Sequence, residues 1–86
     1  MDLGIAGKKA LVCGASAGLG LACAQALVRE GVEVVIVART EAPLREAAEG
    51  LRALGAGAVH WVAADVTTAE GRARILAAHP AFDILV

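Results

Sequence analysis

A glycine-rich turn, Gly14-Ala15-Ser16-Ala17-Gly18-Leu19-Gly20, limits what this chain can fold into more than any other feature. It lies between two apolar segments of different period. Ahead of it, Lys9-Ala10-Leu11-Val12-Cys13 is a short apolar run that ends at glycine, the pattern of a buried strand. Behind it, Leu19, Cys23, Ala26 and Leu27 recur at i, i+4, i+7 and i+8, a helical stripe, with Gln25, Arg29 and Glu30 on other faces. Gly31 stands where such a helix stops. Val34-Val35-Ile36-Val37-Ala38 follows without alternation, as in a parallel strand covered on both faces. A strand, a glycine turn, a helix and a strand within about 30 residues form a βαβ unit of the kind that binds dinucleotides. One glycine makes the sharp turn, a second lets a pyrophosphate approach bare backbone, and a third lets helix and sheet pack closely. The free N–H groups and positive dipole end of the helix then face the anion. Alone, the same glycines also suit a plain tight βα turn.

The rest of the chain repeats the unit. Thr40 offers a helix N-cap, and Leu44, Ala47, Ala48, Leu51 and Leu54 form the next apolar stripe, with Pro43 in its first turn and Gly50 as its weak point. Gly55 and Gly57 mark the loop out, and residues 58–64, with Val59, Trp61 and Val62, read as a third strand. Thr67-Thr68-Ala69-Glu70 fits a capping box that opens a third helix through Leu76 and Ala77 to about His79, where Pro80 breaks it. Phe82-Asp83-Ile84-Leu85-Val86 begins a fourth strand. The order β-α-β-α-β-α-β with short loops specifies an α/β fold, a Rossmann-type doubly wound parallel sheet, as a single domain over residues 1–86. Ending on a buried strand suggests the amino-terminal portion of a larger sheet, with an open apolar edge prone to association.

Bulk properties exclude several classes. Hydrophobic residues make up 58% and aromatics 2%, so the core is aliphatic and disorder is excluded. A net charge of −1 gives no field for nucleic acid. From Ala10 to Val28 no residue is charged, which resembles a signal peptide or membrane span, but Gly14, Gly18, Gly20, Ser16 and Gln25 interrupt it. The chain is therefore expected to be cytoplasmic and not to engage a membrane. Cys13 and Cys23 are read as reduced, buried packing residues, since no Cys/His spacing suits zinc. His60 and His79 show no Ser, Cys or carboxylate placed as a partner, Trp61 reads as packing, and Glu41, Glu46 and Glu49 as a solvated helix face.

Gly14-x-x-x-Gly18-x-Gly20 differs from the widespread G-x-G-x-x-G and resembles the cofactor loop of the short-chain dehydrogenase/reductase family, which commonly reads Thr-Gly-x-x-x-Gly-Ile/Leu-Gly. Asp65-Val66 looks like that family's adenine-contacting pair. Phe82 to Val86 is similar to its fourth strand, which runs into Asn-Asn-Ala-Gly. The resemblance spans nearly the whole chain and extends to 3-oxoacyl-acyl-carrier-protein reductase-like members. Cys13 in place of the usual Thr is a departure. By resemblance, Ser16, Ala17, Gly18 and Leu19 would line the pyrophosphate and nearby ribose. The Asp65 carboxylate would meet the adenine amino group, and the Val66 N–H a ring nitrogen. Asp65 alone also reads as a loop carboxylate capping the next helix.

The second strand ends Ala38-Arg39-Thr40, with no acid to take a ribose 2′-OH, while a guanidinium there suits a 2′-phosphate. This favours NADP(H) over NAD(H), although Ala17 stands where many NADP-dependent members carry a second basic residue. The resemblance implies an oxidoreductase that passes a hydride between nicotinamide and a small-molecule carbonyl or alcohol substrate, in a homo-oligomer. The family's catalytic Asn, Ser, Tyr and Lys lie beyond the fourth strand, and this sequence contains no Tyr. The alternative is a non-catalytic nucleotide-binding module.

Overall fold

The computed structural model describes residues 7–14, 18–54 and 58–85. Their elements alternate as the sequence periods require: β1 (Lys9–Cys13), α1 (Gly18–Arg29), β2 (Glu33–Ala38), α2 (Glu41–Arg52), β3 (Val59–Ala63), α3 (Ala69–Ala78) and β4 (Ile84–Leu85). The strands form one parallel sheet in the order β3-β2-β1-β4. Chain order reverses direction between β1 and β4, which makes that junction the switch point of a doubly wound sheet.

Side chains of a strand alternate between faces, and the core divides accordingly. On one face Ala10 and Val12, Val34 and Ile36, and Val59 pack with Ala24 and Val28 of α1 and Leu44, Ala48 and Leu51 of α2. On the other, Leu11, Val35, Val37 and Val62 meet Ile75 of α3. Both faces are covered, so β2 needs apolar residues at successive positions, as its sequence has. Ile36, Leu44 and Leu51 are fully buried. Each such side chain contributes about 1.5–3 kcal/mol of transfer free energy.

Gly31 ends α1, in agreement with its position in the sequence. At φ +80° it takes the left-handed conformation, while its N–H donates to the Val28 carbonyl and the Val32 N–H to the Leu27 carbonyl. That paired closure is a Schellman stop. Three local expectations are corrected. The buried face of α1 carries Ala24 and Val28, with Leu21 and Leu27 packed beside them, whereas Cys23 and Ala26 are exposed. Cys23 is therefore no packing residue, and Cys13 is half-buried, with burial pushing its thiol pKa up. The cap of α3 is Thr68, not Thr67: the Thr68 hydroxyl accepts from the Gly71 N–H at 3.0 Å, so no Thr67–Glu70 box forms. Finally, Leu54 is exposed and lies past the end of α2, and Leu76 is 54% exposed.

The uncharged stretch from Ala10 to Val28 divides between β1 and α1, and among the described residues no helix is long and apolar enough to cross a membrane.

Candidate functional site

Parallel register brings the strand ends together. Cys13 pairs with Val37 and Ala38 with Ala63, so the residues that follow β1, β2 and β3 emerge on one side of the sheet. Two backbone bonds tie these exits: Gly14 N–H to the Val37 carbonyl at 2.7 Å, and Ala64 N–H to the Ala38 carbonyl at 3.0 Å. A cleft of about 420 Å³ opens there, lined by Gly14, Val37, Ala38, Arg39, Thr40, Ala64, Asp65, Val66 and Thr67. Open α/β sheets place their ligand crevices at this end of the strands.

The cleft gathers Gly14, Arg39, Thr40, Asp65 and Val66, residues separated widely in sequence. Gly14 leaves β1 at φ +69°, a conformation that side-chain-bearing residues avoid, and its Cβ position is open space. Gly18 opens α1 at φ +65°, with Leu19 and Gly20 in the same first turn. Ser16 and Ala17 lie outside the described residues.

Arg39 is exposed at the cleft, and the residues after β2 bring no carboxylate into its lining. Thr40 holds the N-cap position of α2 in extended conformation, yet its side chain makes no capping bond. Asp65 is fixed by Thr67, whose N–H and hydroxyl both donate to Asp65 Oδ1, at 2.9 and 2.6 Å. These two bonds, the hydroxyl's first, hold the Asp65 carboxyl below its usual pKa against desolvation, with Arg39 adding the smallest contribution. Among the described residues the Val66 N–H has no acceptor, while the Val66 carbonyl accepts from Arg72 Nη1 at 3.0 Å. The cleft therefore offers a bare glycine backbone, a guanidinium, an ionised carboxylate and a free N–H donor.

Thr67 is the contributor that sequence reasoning misses, because the capping-box pattern claims its hydroxyl for a helix. Asp followed two residues on by Thr is also an Asx-turn pattern, and that signal is present in the sequence. Gly71 stands out only in three dimensions: a Cβ there would meet the Asp65 carbonyl oxygen, so α3 sits against the Asp65 loop only because position 71 is glycine.

A larger groove of about 690 Å³ runs between α3 and β4, walled by Leu11, Val66, Ile75, Leu76, Phe82 and Ile84 among others. It is the more spacious of the two, but its charged residues are engaged, Arg72 with the Val66 carbonyl and Asp83 with the Lys9 N–H. At the amino ends of the strands, His60 and Glu33 meet at 2.9 Å, with Lys9 Nζ 3.8 Å from the same carboxylate oxygen. His60 thus has a carboxylate partner after all, on the neighbouring strand and far from the cleft in the fold. Its ring also lies 5.1 Å from that of His79.

Comparison with known proteins agrees with this geometry. The model of the family described as short chain dehydrogenase matches residues 8–86. An uncharacterized oxidoreductase of Bacillus subtilis, YvaG, is 40% identical over 87 aligned positions, covering 100% of this chain and 33% of that protein. The A-factor type gamma-butyrolactone 1′-reductase of Streptomyces virginiae is 46% identical over 65, covering 76% and 25%. Among solved structures, L-sorbose reductase from Gluconobacter frateurii, complexed with NADPH and L-sorbose, superposes with a TM-score of 0.90 at 40% identity, over 99% of this chain and 34% of that one. The chain thus spans about a quarter to a third of the length of such relatives. The family model covers residues 8–86 and the sheet order and strand-end cleft agree with it, so the chain belongs to the short chain dehydrogenase family of oxidoreductases.

Proposed function

We propose that this chain supplies the NADP(H) site of an oxidoreductase that passes a hydride between nicotinamide and a carbonyl or alcohol carbon. The observation that carries the reading is Arg39: it lines the cleft together with Gly14, Asp65 and Val66, and no carboxylate from the residues directly after β2 joins that lining. A guanidinium pairs with a 2′-phosphate through charge-assisted hydrogen bonds, where a carboxylate would repel it. The NADPH bound in L-sorbose reductase is in keeping with this choice.

The residues present fit such a group. The bare backbone at Gly14, with the first turn of α1 beyond it, would receive the pyrophosphate, and Ser16 and Ala17 belong to that loop by sequence. Thr40, with its hydroxyl not engaged in capping, would assist Arg39 at the phosphate. Asp65 Oδ2 and the Val66 N–H present an acceptor beside a donor, the complement of adenine's amino group and ring nitrogen. The nicotinamide supplies the hydride chemistry when bound; this chain's part is to bind and orient.

The test is equilibrium titration of the whole protein with NADPH and NADH. NADPH should bind more tightly. Arg39→Ala should weaken it by about 1.5–3 kcal/mol, the range of a hydrogen bond to a charged group, and leave NADH nearly unchanged. Equal losses for both dinucleotides would remove Arg39 from the site.

A further inference from the structure

The cleft holds two opposite charges that must not neutralise each other. Arg39 and Asp65 both line it. An arginine–carboxylate pair is a strong one, and once closed it would occupy both groups. Yet no ion pair joins them among the described residues. Thr67 is what holds Asp65 instead. Its N–H and hydroxyl converge on a single oxygen, Oδ1, and among the described residues no hydrogen bond reaches Oδ2. Nothing else engages the Thr67 hydroxyl among the described residues, since the residue is exposed and the cap of α3 belongs to Thr68. Meanwhile the backbone beneath Asp65 is anchored separately, its carbonyl accepting from the Thr68 N–H and hydroxyl at 3.2 and 3.0 Å.

We infer that Thr67 is a positioning residue whose hydroxyl keeps the Asp65 carboxylate turned toward the base and away from Arg39, so that base and 2′-phosphate are recognised by separate charges. This rests on the NADP(H) reading above. It makes a joint demand that neither charge makes alone. Without the hydroxyl, only the Thr67 N–H still holds Asp65 Oδ1, the carboxylate can turn toward Arg39, and two selectivities fall together. One is for adenine over hypoxanthine, whose carbonyl oxygen and ring N–H oppose Asp65 Oδ2 and the Val66 N–H. The other is for NADPH over NADH.

The experiment measures the affinities of NADPH, NADH and the hypoxanthine analogue of NADPH for the whole protein, as wild type, Thr67→Val, Thr67→Ala and Thr67→Ser. Thr67→Val and Thr67→Ala should each reduce both ratios by about fivefold, the worth of one hydrogen bond, while Thr67→Ser retains both. A merely structural role would weaken all three ligands alike and leave the ratios standing. Unchanged ratios in Thr67→Val and Thr67→Ala, with NADPH still preferred by wild type, would overturn the inference and leave the NADP(H) reading intact. A wild type without preference for NADPH would overturn that reading, and the role of Thr67 with it.

Discussion

Two glycines in helices give one substitution opposite signs. Gly71 stands at the third position of α3, and an added Cβ would collide with the Asp65 carbonyl oxygen, lie 2.6 Å from the Asp65 carbonyl carbon and 2.9 Å from Thr68 Oγ1. The obstructing atoms are mainly backbone, so α3 and the loop before it must separate. Separation stretches the 3.0 Å bond from the Gly71 N–H to Thr68, a cap worth ~1 kcal/mol. Forced packing adds roughly 1–3 kcal/mol. Better helix propensity returns at most ~1 kcal/mol. Gly71→Ala should therefore destabilise by about 1–3 kcal/mol. At Gly50 in α2 nothing lies within 4 Å of the added Cβ, and only the propensity gain of about 0.5–1 kcal/mol remains, so Gly50→Ala should stabilise. Urea unfolding followed by fluorescence of Trp61, the single tryptophan, measures both. A Gly71→Ala protein as stable as wild type would refute the close approach of α3 to the Asp65 loop.

Two further perturbations probe the ends of the sheet. Gly18→Val places a β-branched residue at φ +65°, which costs about 1–2 kcal/mol of stability in the urea assay and should also abolish dinucleotide binding in calorimetry; unchanged affinity would exclude the α1 entrance from the site. His79 is held below its ordinary pKa of 6.5 by desolvation first, then by Lys9 and His60, against an opposing pull from Glu33. The unfolded chain thus binds the proton more readily. The stability this contributes is complete above pH 6.5 and is lost as pH falls through the lowered value. His79→Gln should flatten the fall in urea midpoint between about pH 7.5 and about pH 5, and an unaltered slope would reject the assignment.

Legibility in the sequence follows from how far each segment constrains itself. In β2, β-branched residues at successive positions leave no alternative to a strand covered on both faces, and Leu44, Ala48 and Leu51 stand out in α2 because charged residues surround them. In α1 nearly every position from Leu19 to Val28 is apolar or small, so the period selects no single face. Packing on β1 and β2, not pattern, decides which side is buried. The position of the cleft is legible from the strand exits, since Gly14, Arg39 and Asp65 each stand just past the end of a strand. The pattern is ambiguous at Thr67 and Thr68, adjacent and chemically identical, where an Asx turn and a capping box compete and the local backbone assigns one to the carboxylate and the other to the helix. The His60–Glu33 contact is invisible for a similar reason: it depends on the register between β2 and β3, which pairs Val35 with His60.

Occupation of the carboxyl ends of β1, β2 and β3 by a dinucleotide underlies every role assigned above. Amide chemical shifts of the isotope-labelled protein, recorded with and without NADPH, locate the ligand residue by residue. Shifts are expected at Gly14, Gly18, Arg39, Val66 and Thr67, with quiet amides at Lys9, Glu33 and His60 on the opposite end of the strands. Shifts confined to that opposite end, or to the groove walled by Ile75, Leu76 and Phe82, would contradict a dinucleotide site at the strand ends.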